Sequence, residues 1–212
     1  MSVTAKNLGH AEHSRQGVLT FSKRWTVFGP CRREDQAPAN QVATCPKTMT
    51  LGGRRLTPKT VVCNRQGVAD LASAIGGTEA HKTAYIFIPF TAPRTGEFSV
   101  GLGADWWFQA WVDGREIGGT LGTGNVLHPV SCNDHCLRVS VEEGPHLLCV
   151  RFISGSNGSC LATGVPTLSP DQMAVMQRQC QLGIRDRVTR PLKVVFLGAG
   201  SATRSRIPSW HC

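Results

Sequence analysis

Between Ala84 and Gly164 one unit recurs: a short apolar or alternating run, closed by turn residues. AYIFIPF (84–90) is followed by TAPRTG, and EFSVGLG (97–103) leads into DWWFQAWV (105–112). Asp113-Gly114 then reads as a two-residue hairpin turn into Arg115-Glu116-Ile117. HCLRVSVEEG (135–144) alternates with Leu137, Val139 and Val141 on one face, and HLLCVRFIS (146–154) and CLATG (160–164) follow. Seven or eight strands at a spacing of about 8–12 residues, with almost no room for helix between them, predict a mainly β chain. The architecture expected is an antiparallel β-sandwich, jelly-roll-like. Its 23 Gly and 12 Pro suit many turns.

The flanks are less regular. Residues 1–20 lack periodicity and read as a disordered segment. Phe21–Phe28 alternates and should form a first strand ending at Gly29-Pro30. Residues 31–83 are turn-rich, with one short helix expected within 68–75. After Val165 the pattern changes: Ser169-Pro170-Asp171 suits the start of a short C-terminal helix, with Met173, Met176 and Cys180 on one face and Gly183 at its end. A basic linker leads to a terminal strand, LKVVFLGAGSA (192–202). The division predicted is 1–20, a sandwich over 21–165, and a helix with terminal strand over 166–212.

Three of the five tryptophans fall in the run 106–111. Extended backbone alternates its side chains, so Trp106, Phe108, Ala110 and Val112 share one face and Trp107, Gln109, Trp111 and Asp113 the other. The first set is wholly apolar and should point into the core. The second mixes two indoles with an amide and a carboxylate. Two rings two residues apart offer stacking surface to the apolar face of a sugar, with Gln109 and Asp113 placed to bond its hydroxyls. The alternative is a satellite core, with Trp107 and Trp111 beneath the 31–83 segment. Asp105, Asn125, Asp134 and His135 complete the candidate ligand-binding set.

A net charge of +9 invites a nucleic-acid reading, but its distribution opposes one. From Ala84 to Val165 four arginines face seven carboxylates, leaving this stretch at −3 and the flanks at +12. The aromatics sit among acids, not bases, so no nucleic-acid partner is expected. No apolar stretch reaches the ~20 residues of a membrane span. The polar N-terminus lacks a secretory signal, so the expected location is cytoplasmic, secretion not being excluded. The nine cysteines are then expected as free thiols.

His128, Cys132, His135 and Cys136 are suitable zinc ligands at unfamiliar spacing, and a hydrogen bond between Asp134 and His135, with Asn125 nearby, is the plainer expectation. Asp105, Asp113, Glu116 and Asp134 read as turn carboxylates, and no catalytic residue is assigned. Asn157-Gly-Ser159 is a glycosylation sequon, meaningful in a secreted eukaryotic chain.

The run TGEFSVGLGADWWFQAWVDGREI resembles the central hairpin of PA14-like and related carbohydrate-binding β-sandwiches. LGTGN, Asn133-Asp134-His135 and LLCVRFISGSNG are similar to the closing half of such domains, which are appended to glycosidases. The resemblance spans about residues 22–165 and is one of architecture and punctuation. It implies a carbohydrate ligand, a partner catalytic domain and no catalysis in this chain. Ala104-Asp105 stands where PA14 domains carry a paired, calcium-binding Asp, so no metal is assigned.

Lys193–Ala202 resembles the opening of NAD-dependent family 4 glycosidases, in which a strand runs into Gly-x-Gly, here Gly198 and Gly200. Thr203 occupies the third glycine position, and only ten residues follow Ala202. No cofactor is therefore expected, and NAD only if that domain were complete. The alternative reading is a truncated fragment of such an enzyme; a third is a structural or protein-interaction sandwich.

Overall fold

A computed structural model of the chain describes residues 17–178 apart from 126, 157, 169 and 170. Thirteen strands, several very short, run in chain order. They are β1 (Thr20–Phe21), β2 (Arg24–Cys31), β3 (Met49–Leu51), β4 (Arg54–Leu56), β5 (Lys59–Val62), β6 (Val68–Asp70), β7 (Thr83–Ala92), β8 (Gly96–Ala104), β9 (Trp106–Val112), β10 (Arg115–Gly119), β11 (His135–Val141), β12 (Gly144–Ser154) and β13 (Cys160–Gly164). Helices α1 (Ala39–Ala43) and α2 (Ala72–Ile75) are single turns, and residues 171–178 form α3.

The strands build an antiparallel sandwich. One sheet has the order β10-β9-β12-β7-β2-β5, with β1 also on β7, and the other β11-β8-β13-β6. Between them lies the main core: Trp25 and Val27 of β2, Ile86 and Ile88 of β7, Phe108 and Ala110 of β9, and Val150 and Phe152 of β12 meet Val100 and Leu102 of β8 and Leu161 of β13. Each such side chain sealed from water contributes roughly 1.5–3 kcal/mol before entropy is counted.

The continuous apolar run AYIFIPF requires cover on both faces. Ile86 and Ile88 point into the sandwich, while Tyr85 and Phe87 point outward. A second cluster seals that outer face, with Val42 of α1, Met49 and Leu51 of β3 and Leu56 of β4 packed over Phe28, Tyr85, Phe87 and Cys149. The 31–83 segment is thus folded rather than a run of turns: α1, β3 and β4 cover the outer face, while β5 and β6 extend the two sheets. Of the helix expected within 68–75, only Ala72–Ile75 is helical, because Val68–Asp70 pairs with β13 and the Asp70 carboxylate accepts the Ala72 N–H. Gly76 ends the turn at φ 77°, a left-handed cap.

Two other boundaries differ from expectation. β2 continues through Gly29-Pro30 to Cys31, since the ladder to β7 shifts register between Phe28 and Cys31 and asks no hydrogen bond of the proline. At the N-terminal side the sandwich includes residues before Phe21, with Leu19 in the core and Thr20 opposite Thr91. The C-terminal helix has Met173 buried as its apolar face requires. The terminal strand expected at 192–202, with Gly198 and Gly200, lies outside the described residues, as does Asn157. All seven described cysteines are free, and no helix among the described residues is long and apolar enough to cross a membrane.

Candidate functional site

The candidate residues separate into two regions. The first is the outer face of β9. Cross-strand register sets Trp107 beside Ile153, Gln109 beside Arg151 and Trp111 beside Cys149, with Glu116 of β10 opposite Trp111. Phe108, Ala110 and Val112 point the other way and are buried, as the alternation requires. Trp106 departs from it: the side chain is half-buried, because it opens the strand at the end of the sandwich and lies against Gly124 and Gly155. A side chain at Gly124, whose φ is +70°, would collide with the Trp106 indole.

Trp107 and Trp111 are each half-buried, but their neighbours differ. Trp111 packs on the second cluster and stacks with Tyr85 at a centroid distance of 6.4 Å. Trp107 stacks with exposed His81 at 5.7 Å and carries the exposed Arg33 guanidinium 5.0 Å from its ring centroid. Arg33 Nη1 also donates to His81 Nδ1 at 3.3 Å. Beneath lies Arg151, 4% exposed, which donates from Nη2 to the Arg33 carbonyl. Gln109, between the indoles, is half-buried.

Asp113 is spent on the turn. It and Gly114 adopt positive φ, 49° and 82°, as a two-residue hairpin of this kind demands. Oδ1 accepts the Leu147 N–H at 2.9 Å and Oδ2 accepts His146 Nδ1–H at 2.6 Å. His146 Nε2 donates to the Glu142 carbonyl, so both ring nitrogens act as donors. Burial lowers the imidazole pKa, but these bonds outweigh it and the net shift is upward.

The second region is the loop end between β10 and β11. Asn125 is buried and bridges two other candidates: Nδ2 donates to Asp134 Oδ2 at 2.9 Å, and Oδ1 accepts His135 Nε2–H at 3.0 Å. The direct Asp134–His135 bond expected from sequence is therefore replaced by an amide bridge. Asp134 Oδ2 also accepts the Ser131 N–H, and Gln177 of α3 donates to the Asp134 carbonyl and to His135 Nδ1. Gly103 leaves room for this carboxylate, since a Cβ there would strike Asp134 and the Ser131 carbonyl. Burial pushes the Asp134 pKa up to about 7 and the His135 pKa down to about 4. Both prefer to be neutral.

Asp105 stands apart from this bridge. Oδ2 accepts the Cys160 N–H at 3.2 Å, and Oδ1 lies 3.8 Å from His128 Nδ1. Burial raises its pKa against those contacts. Among the described residues no group of three or more His, Cys, Asp or Glu side chains is placed to hold a metal ion. His128 faces Asp105, Cys132 bonds the Val165 carbonyl, and His135 belongs to the Asn125 bridge.

Sequence reasoning overlooked Arg33, His81, Arg151 and Gln177. Only Arg151 carried a signal, as the lone charge inside the buried run HLLCVRFIS. The others reach their places through tertiary folding of distant segments.

No protein-family model matches the sequence, and no curated protein matches it either. Solved structures similar to it include two glycosidases. One is the β-glucosidase from Kluyveromyces marxianus, 10% identical with a TM-score of 0.44, the match covering 76% of this chain and 18% of that one. The other is the GH31 α-xylosidase from Xanthomonas citri, 13% identical with a TM-score of 0.35, covering 75% and 16% respectively. The chain spans less than a fifth of the length of either glycosidase.

Proposed function

We propose that this chain is a non-catalytic carbohydrate-binding module, accessory to a glycoside-active protein, with its binding face on the outside of β9. The observation that carries the reading is the row Trp107, Gln109, Trp111: two indoles and an amide on one strand face, all half-buried although the same sheet is sealed a few ångströms away. Stacking on such rings with a few hydrogen bonds supports modest affinity. Asp113 has both oxygens engaged and acts by fixing the hairpin, while Asn125, Asp134 and His135 set the loop end, with Asp105 tying the neighbouring turn at Cys160. The accessory role rests on the sequence resemblance to sandwiches appended to glycosidases.

Affinity gel electrophoresis against a panel of soluble polysaccharides tests the proposal. Retardation by at least one glycan, abolished in Trp107→Ala, is expected. Unchanged mobility on every glycan would dismiss it.

A second reading, a protein-interaction or structural sandwich, is favoured by the stacking of Trp111 on Tyr85 and its packing against the second cluster. It predicts a blue-shifted tryptophan emission that acrylamide does not quench.

A further inference from the structure

The two arginines behind Trp107 have no carboxylate partner among the described residues, where the ion pairs are Arg32–Glu34, Lys82–Glu79, His128–Asp105, Arg138–Glu97 and His146–Asp113. For exposed Arg33 this is ordinary. For Arg151 it is not: a guanidinium removed from water is costly without an anion. Its Nη2 is satisfied by the Arg33 carbonyl, but its buried Nε has no hydrogen-bond partner. Asp35 does not pair with it: that carboxylate accepts the Arg32 N–H and packs against Gly52. The sheet thus holds a buried positive charge two residue pairs along the ladder from Trp107, and that charge grips the backbone of the residue whose own guanidinium covers the Trp107 ring.

The face is electrically graded. Arg33 and Arg151 lie at its Trp107 end, whereas the exposed Glu116 stands opposite Trp111 at the other. A neutral sugar needs no such gradient. Arg33 and His81 lie on the Trp107 ring, so a sugar stacking there would displace the exposed Arg33 side chain to the ring's edge, where its planar donor fork matches carboxylate and sulfate geometry. Arg151 acts behind it, as a positioning residue for the Arg33 loop and as an uncompensated positive field.

Building on the carbohydrate-binding reading above, we infer that the sugar taken by this face is anionic, its oxyanion docking on Arg33 beside Trp107. The test compares polygalacturonate with the same polymer methyl-esterified, a sulfated polysaccharide and single-stranded DNA, in affinity gels at low and raised salt. Retention by polygalacturonate roughly tenfold stronger than by its ester is expected, the size of one charge-assisted contact. Added salt and Arg33→Ala should both reduce it to the level of the ester, with Arg33→Lys intermediate. Preferential retention by the sulfated polymer, again lost in Arg33→Ala, supports the same site with sulfate as the anion. Equal retention by the charged and esterified polymers overturns the inference and leaves the carbohydrate-binding reading intact. Failure to bind any glycan, neutral or anionic, removes both. Stronger retention by DNA than by every glycan also overturns the inference. Arg151→Met, checked for folding by thermal melting, should weaken retention by the acidic polymer more than by the ester; because Arg33 is exposed, the Arg33 variants decide the matter even where Arg151→Met does not fold.

Discussion

The outer face of β9 and the Asn125–Asp134–His135 bridge are built from similar residue types, but they use their hydrogen-bonding capacity differently. At the bridge it is consumed internally: Asn125 serves both neighbours, Gln177 closes the far side of His135, and burial keeps acid and imidazole neutral. On β9 the rings remain half-open, and a guanidinium nitrogen beneath them is unmatched. A polar cluster that satisfies itself holds a fold together, whereas an incompletely satisfied face beside half-buried rings has capacity left for a guest.

The sharpest division between the regions should come from Asn125→Ala. It takes one partner from the buried Asp134 carboxyl and one from the half-buried His135 imidazole, leaving them only the Ser131 N–H and Gln177, and should cost on the order of 3 kcal/mol, read by urea denaturation, while the folded fraction keeps its glycan retention. Trp111→Ala comes next, at about 2 kcal/mol, because this indole also packs on the second cluster. It should lower both stability and retention. Loss of stability with unchanged retention would move Trp111 from the binding face to the scaffold alone.

Titration separates the regions again. The folded-state pKa of Asp134 is raised, so its contribution to stability is fully present below the ordinary value of 3.8 and is lost as pH rises toward about 7. That of His135 is lowered, so its contribution is present above 6.5 and is lost as pH falls toward about 4. The two slopes oppose each other over nearly the same window. Asp134→Asn should therefore expose stability that rises with pH between about 4 and 6.5, and His135→Gln stability that falls with pH up to about 7. Urea midpoints measured across that range check both signs; identical slopes in the two variants would refute the neutral pair. The smallest stability change is expected for Trp107→Ala, roughly 0.5–1 kcal/mol for an exposed cation–π contact, although its effect on binding should be the largest.

Much of this was legible in the chain. Alternation in HCLRVSV and in the Trp106–Val112 run, with Asp113-Gly114 between β9 and β10, specified antiparallel strands and which side of each faces the core. The continuous apolar run of β7 called for cover on both sides, and the second cluster supplies it. What was hidden is long-range. Nothing local in residues 31–83 says that β3 and β4 form a lid with α1 while β5 and β6 join the sheets, because such short strands are stabilised by what they pack against. Arg33 and His81 reach Trp107 only through that lid, and Gln177 reaches His135 from another helix. Trp106, expected in the core, is half-buried against Gly124 and Gly155, since a strand's end is also the sandwich's end.

Which side of β9 meets a guest decides between a binding face and a scaffold. Indole N–H resonances, followed by NMR while a retained oligosaccharide is titrated in, report this directly. Trp107 and Trp111 should shift together in proportion to occupancy, while buried Trp25 and the loop-end Trp106 stay fixed. Shifts confined to Trp106, or none at saturating ligand, would contradict it.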